Sequence, residues 1–237
     1  MNEKFDSNMI EKYLSEIIKD KSHRYRSWDF CNQAFSVDQF TKDNALQLAF
    51  YLASWGMYRG SSGLLQKNYL IHEGAVKILF SEEYRFLKCN KIQDIKREKI
   101  DDILKLKDEL SKHYRDISYI RGSKKSKEIS TTDTLISKIM LGTLACVPAY
   151  DKYFIIGLKE NGAKNSKFNT DSLIDLFDFI KNNEDWILEC QQRIQKRIQS
   201  HYPLMKIIDM YFWQIGYDVA LKKKNEKVKN ERLQRNT

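Results

Sequence analysis

Two prolines and nine glycines are spread over 237 residues, so this chain has few points where a helix must break. An all-β architecture needs turn residues at short, regular intervals, and their scarcity excludes it. Cysteine is sparse too: Cys31, Cys89, Cys146 and Cys190 lie far apart and form no CxxC pair. Zinc and iron–sulfur sites draw ligands from short spacings, so no metal is expected, and each thiol reads as a small core residue in a reducing compartment. No window of about 18 uncharged apolar residues occurs, hence no membrane span is expected. The opening MNEKFDSNMIEKY is mixed in charge and lacks the apolar segment of a secretion signal, which predicts a cytoplasmic protein. Glycine patterns that cradle phosphates are missing as well; the nearest spacing, Gly56, Gly60 and Gly63, follows no strand, and no cofactor is expected.

What is present is apolar residue at 42% and positive charge, 41 Lys and Arg against 32 Asp and Glu, for a net +9. The length allows a substantial core. The charge favours an anionic partner, nucleic acid first, unless it serves only to keep a lysine-rich surface in solution.

Apolar residues recur at helical spacing along most of the chain. A first helix is expected from Asp6 or Ser7, with Ile10, Leu14, Ile17 and Ile18 on one face, and a short aromatic one over 24–35. Residues Thr41 to Tyr58 are apolar almost all round, which predicts a central helix. It runs into RGSSGLL (59–65), a junction rich in glycine and serine. A long charged helix is expected over 92–115 and a polar loop over 121–133, after which Thr131 or Thr132 caps the next helix. Further helices are expected from Thr170, over 184–200, and from Pro203, which suits a first turn. The basic tail, 221–237, has no apolar face and is expected to fray or stay disordered. The predicted architecture is all-α: one helical domain over 1–220, most simply two packed lobes with a cleft between them.

The segment TDTLISKIMLGTLACVPAYDKYFIIGL (132–158) carries the most chemistry. An apolar helix enters a turn at Pro148, and Asp151 opens a second apolar segment. A carboxylate there is either a catalytic acid or a first-turn cap, which would stabilise the helix by about 0.5–1 kcal/mol. The order of capped helix, Pro-containing turn, aspartate and apolar helix resembles the corresponding stretch of the helix-hairpin-helix DNA glycosylases. LQLAFYLASWGMYRGSSGLLQ (46–66) is similar to an early core helix of that fold, and YPLMKIIDMYFWQIG (202–216) to a late helix closing the second lobe. The resemblance implies a DNA-associated enzyme that removes a flipped base, with Asp151 assisting its departure. It has departures: where the family carries a glycine-containing hairpin, this chain reads Glu128-Ile-Ser-Thr-Thr-Asp133, and Asp133 stands where bifunctional members place a lysine. The family's cysteine cluster is absent as well.

Arg121, Lys124, Lys125 and Lys127 stand where they could replace the missing hairpin as phosphate contacts, or simply form a solvated loop. Arg59, beside Gly60, Ser61 and Ser62, could meet a phosphate with Trp55 and Tyr58 as stacking surface, or could bond the last carbonyls of its helix. Tail lysines 222, 223, 224 and 227 could add nonspecific affinity. The same residues fit a non-enzymatic helical module that binds nucleic acid or protein in bacterial defence or regulation. A third reading, a nuclease-like toxin, would use Arg197 and His201, four apart on one helix.

Overall fold

The structure, a computed structural model, describes residues 1, 5–37, 40–59, 61–120, 122 and 126–235. Helices dominate. In chain order they are α1 (Asn8–Lys19), α2 (Ser27–Ala34), α3 (Lys42–Ser54), α4 (Glu73–Phe80), α5 (Glu82–Arg85), α6 (Ile100–Arg115), α7 (Asp133–Thr143), α8 (Lys152–Glu160), α9 (Thr170–Asn182), α10 (Glu184–Ile198) and α11 (Leu204–Arg235). Short 3-10 turns link several of them. Buried apolar residues from Phe5 to Trp213 form one contiguous core. No helix among the described residues is long and apolar enough to cross a membrane.

The all-α expectation holds, with corrections that have local causes. The 121–133 loop contains part of a small antiparallel hairpin, β1 (Ser118–Ile120) with β2 (Ser126–Glu128). The helix expected over 92–115 begins only at Ile100, because Asp94 turns its carboxylate back onto the Asn90 and Lys91 amides and closes a separate turn. The basic tail is helical to Arg235, continuing α11 without a break, although residues 221–231 are exposed throughout.

The centre of the domain is not α3. Its Leu46 and Phe50 are 46% and 56% exposed, since α3 packs on α2, α7 and the Tyr69–His72 turn from one side only. The wholly enclosed segments are Leu135–Asp151 and Tyr202–Gln214. All four cysteines are buried and unpaired.

Two contacts fix the frame around the later site. First, α8 and α11 approach backbone to backbone: a Cβ on Gly157 would lie 1.9 Å from the Phe212 carbonyl oxygen, and one on Gly216 would lie 1.8 Å from that of Tyr153. Only glycine permits this spacing. Second, the chain leaving α3 is pinned by His72, whose Nε2 lies 2.7 Å from the Tyr58 hydroxyl and Nδ1 2.6 Å from that of Tyr114. Burial, with a smaller contribution from His113, lowers the His72 pKa from its ordinary 6.5 to about 3.

Both contacts are testable. Gly157→Ala and Gly216→Ala should each destabilise the fold by about 3 kcal/mol or more, since backbone rather than a side chain must give way; chemical denaturation measures it. His72 is neutral when folded and gains a proton when unfolded below pH 6.5. Its stabilisation is therefore fully present above that pH and falls away between pH 6.5 and about 3. The stability advantage of wild type over His72→Gln should be flat above pH 6.5 and shrink by several kcal/mol, about 5 at most, on acidification.

Candidate functional site

α7 is capped by Thr132, whose Oγ1 accepts from the Leu135 amide at 3.2 Å. The helix ends at Thr143, and two residues further on, Ala145 is held at φ 49°, in the left-handed region that favours glycine. Its amide bonds the Met140 carbonyl at 2.9 Å. The strained residue turns the chain sharply into Pro148. Side chains then hold the turn: the Ala149 amide donates to Asp209 Oδ1 at 3.0 Å, the Tyr150 amide to Ser137 Oγ at 2.8 Å, and Thr134 Oγ1 to the Tyr150 carbonyl at 3.0 Å.

Asp151 emerges from that turn as the cap of α8. Its Oδ1 accepts from the Tyr153 and Phe154 amides at 3.0 and 3.1 Å. Oδ2 receives Lys138 Nζ at 2.9 Å, with side-chain exposures of 4% for Lys138 and 13% for Asp151. Capping and ion pairing are thus both realised by one carboxylate.

Lys138 also lies 4.6 Å from the centre of the Trp55 indole. The same ring has Arg24 at 4.9 Å and Lys206 at 5.9 Å. Three cations gather on one indole, which attracts them through the negative face of its π system. The buried Trp55 Nε1 has no hydrogen-bond partner among the described residues.

Lys206, from α11, is 1% exposed; its Nζ lies 3.1 Å from the Tyr13 hydroxyl and 3.4 Å from Asp209 Oδ2. Burial lowers the pKa of Lys206, and Lys138 adds to that, while Asp209 and Asp29 oppose it. Burial raises Asp209, against the pull of Lys206 and Lys138. Asp29 is also raised by burial, with partial relief from the Tyr202 hydroxyl, Lys206 and Arg26. Two lysines and three aspartates therefore share one desolvated network. No cluster of three or more potential metal ligands occurs among the described residues.

The sequence expectations divide. Asp151 stands at the centre of this network. Arg59 is exposed on the turn that follows Trp55, where Ser62 Oγ and its amide both bond the Arg59 carbonyl. Lys127, on β2, is exposed as well. The Ser130 amide bonds the Ser62 carbonyl at 3.2 Å, and Tyr119 abuts Gly63, so the hairpin does lie beside the Arg59 turn. Arg121, Lys124 and Lys125 lie outside the described residues. Tyr58 is bonded to His72 and serves the frame. Arg197 and His201 do not share a helix: α10 ends at Ile198, Gln199 takes φ 52°, and Arg197 pairs with Glu11.

Comparison with family models, curated proteins and solved structures finds no match to this chain. Its chemistry must be read from its own residues.

Sequence reasoning missed Lys138, Lys206 and Asp209. A signal was present: each is a charge on an otherwise apolar helical stretch, Lys138 alone in LISKIMLG and Lys206 with Asp209 in LMKIIDMYFW. Such residues are buried only when paired. Asp151→Asn and Lys138→Met should each destabilise the fold by about 3 kcal/mol, because each strands a buried partner. The double variant should lose clearly less than the sum in a double-mutant cycle read by urea denaturation.

Proposed function

We propose that this is a DNA-associated protein that excises a base from an extruded nucleotide, in the manner of the helix-hairpin-helix glycosylases it resembles. The observation that carries this reading is the Lys138–Asp151 pair held under the partly exposed Trp55. Cleavage of the glycosidic bond sends its electron pair to the departing base and leaves positive charge on the sugar; water then adds at C1′ and its proton passes to the departed base. A fixed carboxylate beside that charge lowers the barrier electrostatically. Asp151 supplies the carboxylate. Lys138 and the two α8 amides orient it, so Lys138 is a positioning residue. Arg59, exposed on the turn after Trp55, and Lys127, exposed on the neighbouring β2, would meet the phosphate backbone, and the two-lobed cleft expected of such enzymes would open on the Trp55 side.

The cap and ion pair account for Asp151's place without any chemistry, so the test must separate rate from stability. Duplexes carrying a panel of damaged bases are incubated with the full chain and scored for abasic product. Asp151→Asn keeps an acceptor for the α8 amides, and should lower excision by about 10²-fold or more. Anisotropy should meanwhile show tighter binding to an abasic-site analogue than to intact duplex, weakening with salt and little changed by the substitution. Excision that survives Asp151→Asn overturns the assignment. Equal binding to both duplexes without excision would leave a nucleic-acid-binding module.

A further inference from the structure

The second half of α11 leaves the fold. Residues 204–214 of this helix lie in the core, Tyr217 is half-buried, and residues 221–231 are exposed throughout. Helix nevertheless continues to Arg235, about 20 Å beyond Leu221. An isolated helix of that length is marginal in water, but this one is propagated from a packed half and needs no nucleus of its own. The arm is therefore set in place before any partner arrives. It also starts beside the candidate site. Tyr217 stacks on Trp213 with ring centres 5.1 Å apart, and Trp213 meets Trp55 edge to face at 5.9 Å.

What the arm carries is positive charge on several sides. Lys222, Lys223, Lys224 and Lys229 have no ion-pair partner among the described residues, and Lys227 has a loose one, Glu231 at 3.9 Å. Glu226 is the other acid in 221–231, where Leu221 and Val228 are the only apolar residues. At about 100° per residue, Lys222 and Lys229 fall on one side of the helix and Lys224 roughly 150° round from them, with Lys223 and Lys227 between. Two apolar side chains are too little to seat the arm on a protein surface. Its partner must instead offer anionic groups on two sides of a helix at once. The major groove of duplex DNA does so: it is about 12 Å wide, admits an α-helix and is walled by a phosphate strand on each side. An acidic protein surface or a single strand meets one side only, and the major groove of an RNA duplex is too narrow.

We propose that the exposed half of α11 lies in the major groove of duplex DNA, its lysines paired with phosphates of both strands. The inference rests on the DNA-associated reading and gives it a form of nucleic acid, the duplex, and a second point of attachment. The arm acts through charge and fixed geometry and takes no part in bond cleavage. Because the helix is already formed, docking orders only the lysine side chains.

The test is anisotropy of labelled duplex DNA, RNA duplex of the same sequence and single-stranded DNA with the full chain, across a salt series. One variant combines Lys222→Gln, Lys223→Gln, Lys224→Gln and Lys229→Gln, since glutamine keeps the helix while removing charge; circular dichroism checks the helix. A second combines Lys77→Gln, Lys159→Gln, Lys181→Gln and Lys196→Gln, exposed on α4, α8, α9 and α10, and loses the same net charge elsewhere. On duplex DNA the α11 variant should lower the slope of log K against log salt by about 3–4, and weaken binding at least about tenfold. The second variant should keep the wild-type slope, and RNA duplex should bind more weakly and lose little in either. An unchanged slope in the α11 variant overturns the assignment. Equal losses in the two variants overturn it as an effect of net charge, and equal losses on RNA duplex and single strands overturn it as a general polyanion contact. Polyglutamate bound as tightly as duplex through the same lysines overturns DNA as the partner. Duplex binding that depends on these lysines, in a chain that excises no base, supports the arm and overturns base excision. No binding to duplex DNA at low salt overturns both.

Discussion

No side chain separates α8 from α11 where they cross at Gly157 and Gly216, and the rest of the site depends on that contact. Backbone apposition brings the start of α8 against the middle of α11. From there Asp209 reaches the Ala149 amide, and Lys206 comes under Trp55. A larger residue at either glycine would push the helices apart and break both arrangements together. The strained Ala145 and the bonded turn at 147–150 then deliver Asp151 to the end of α8 with its carboxylate already bound on three sides.

Around this frame the protein keeps charge where burial opposes it. Lys138, Lys206, Asp29, Asp151 and Asp209 lie in or near one desolvated volume, with two indoles, Trp28 and Trp55, and Tyr13 among them. Replacing such a network with apolar residues of similar size is commonly neutral or stabilising. Its retention beneath the partly exposed Trp55 is what connects the energetics to a proposed chemistry. A group with a shifted pKa beside a cleft is a candidate for function on physical grounds, and Lys206 and Asp209 shift in opposite directions for the same reason, burial.

Much of the secondary structure was legible because it is local. Thr132 caps α7 and Asn169 caps α9, and Pro203 precedes α11, all by side-chain chemistry visible in a few residues. Some errors came where partners lie far away in the chain, others from a local choice of hydrogen bond. Leu46 and Phe50 looked central by composition, yet none of the described elements covers that face of α3, and composition alone cannot say which of several apolar helices is enclosed. The break before Ile100 turned on one carboxylate choosing two amides. Asp151 could be seen as a carboxylate opening a helix; that its second oxygen meets Lys138, thirteen positions earlier, could not.

The amino-acid sequence by itself determined the helical class, the caps, the positive charge and the place of Asp151 after a proline turn, because each follows from neighbours within a turn or two. Only the tertiary structure decided that Arg24, Lys138 and Lys206 converge on the ring of Trp55. Those residues come from α3, α7, α11 and the turn before α2. Side chains so distant in sequence meet only when helices pack, and here packing is governed by two glycines whose importance lies entirely in what they touch.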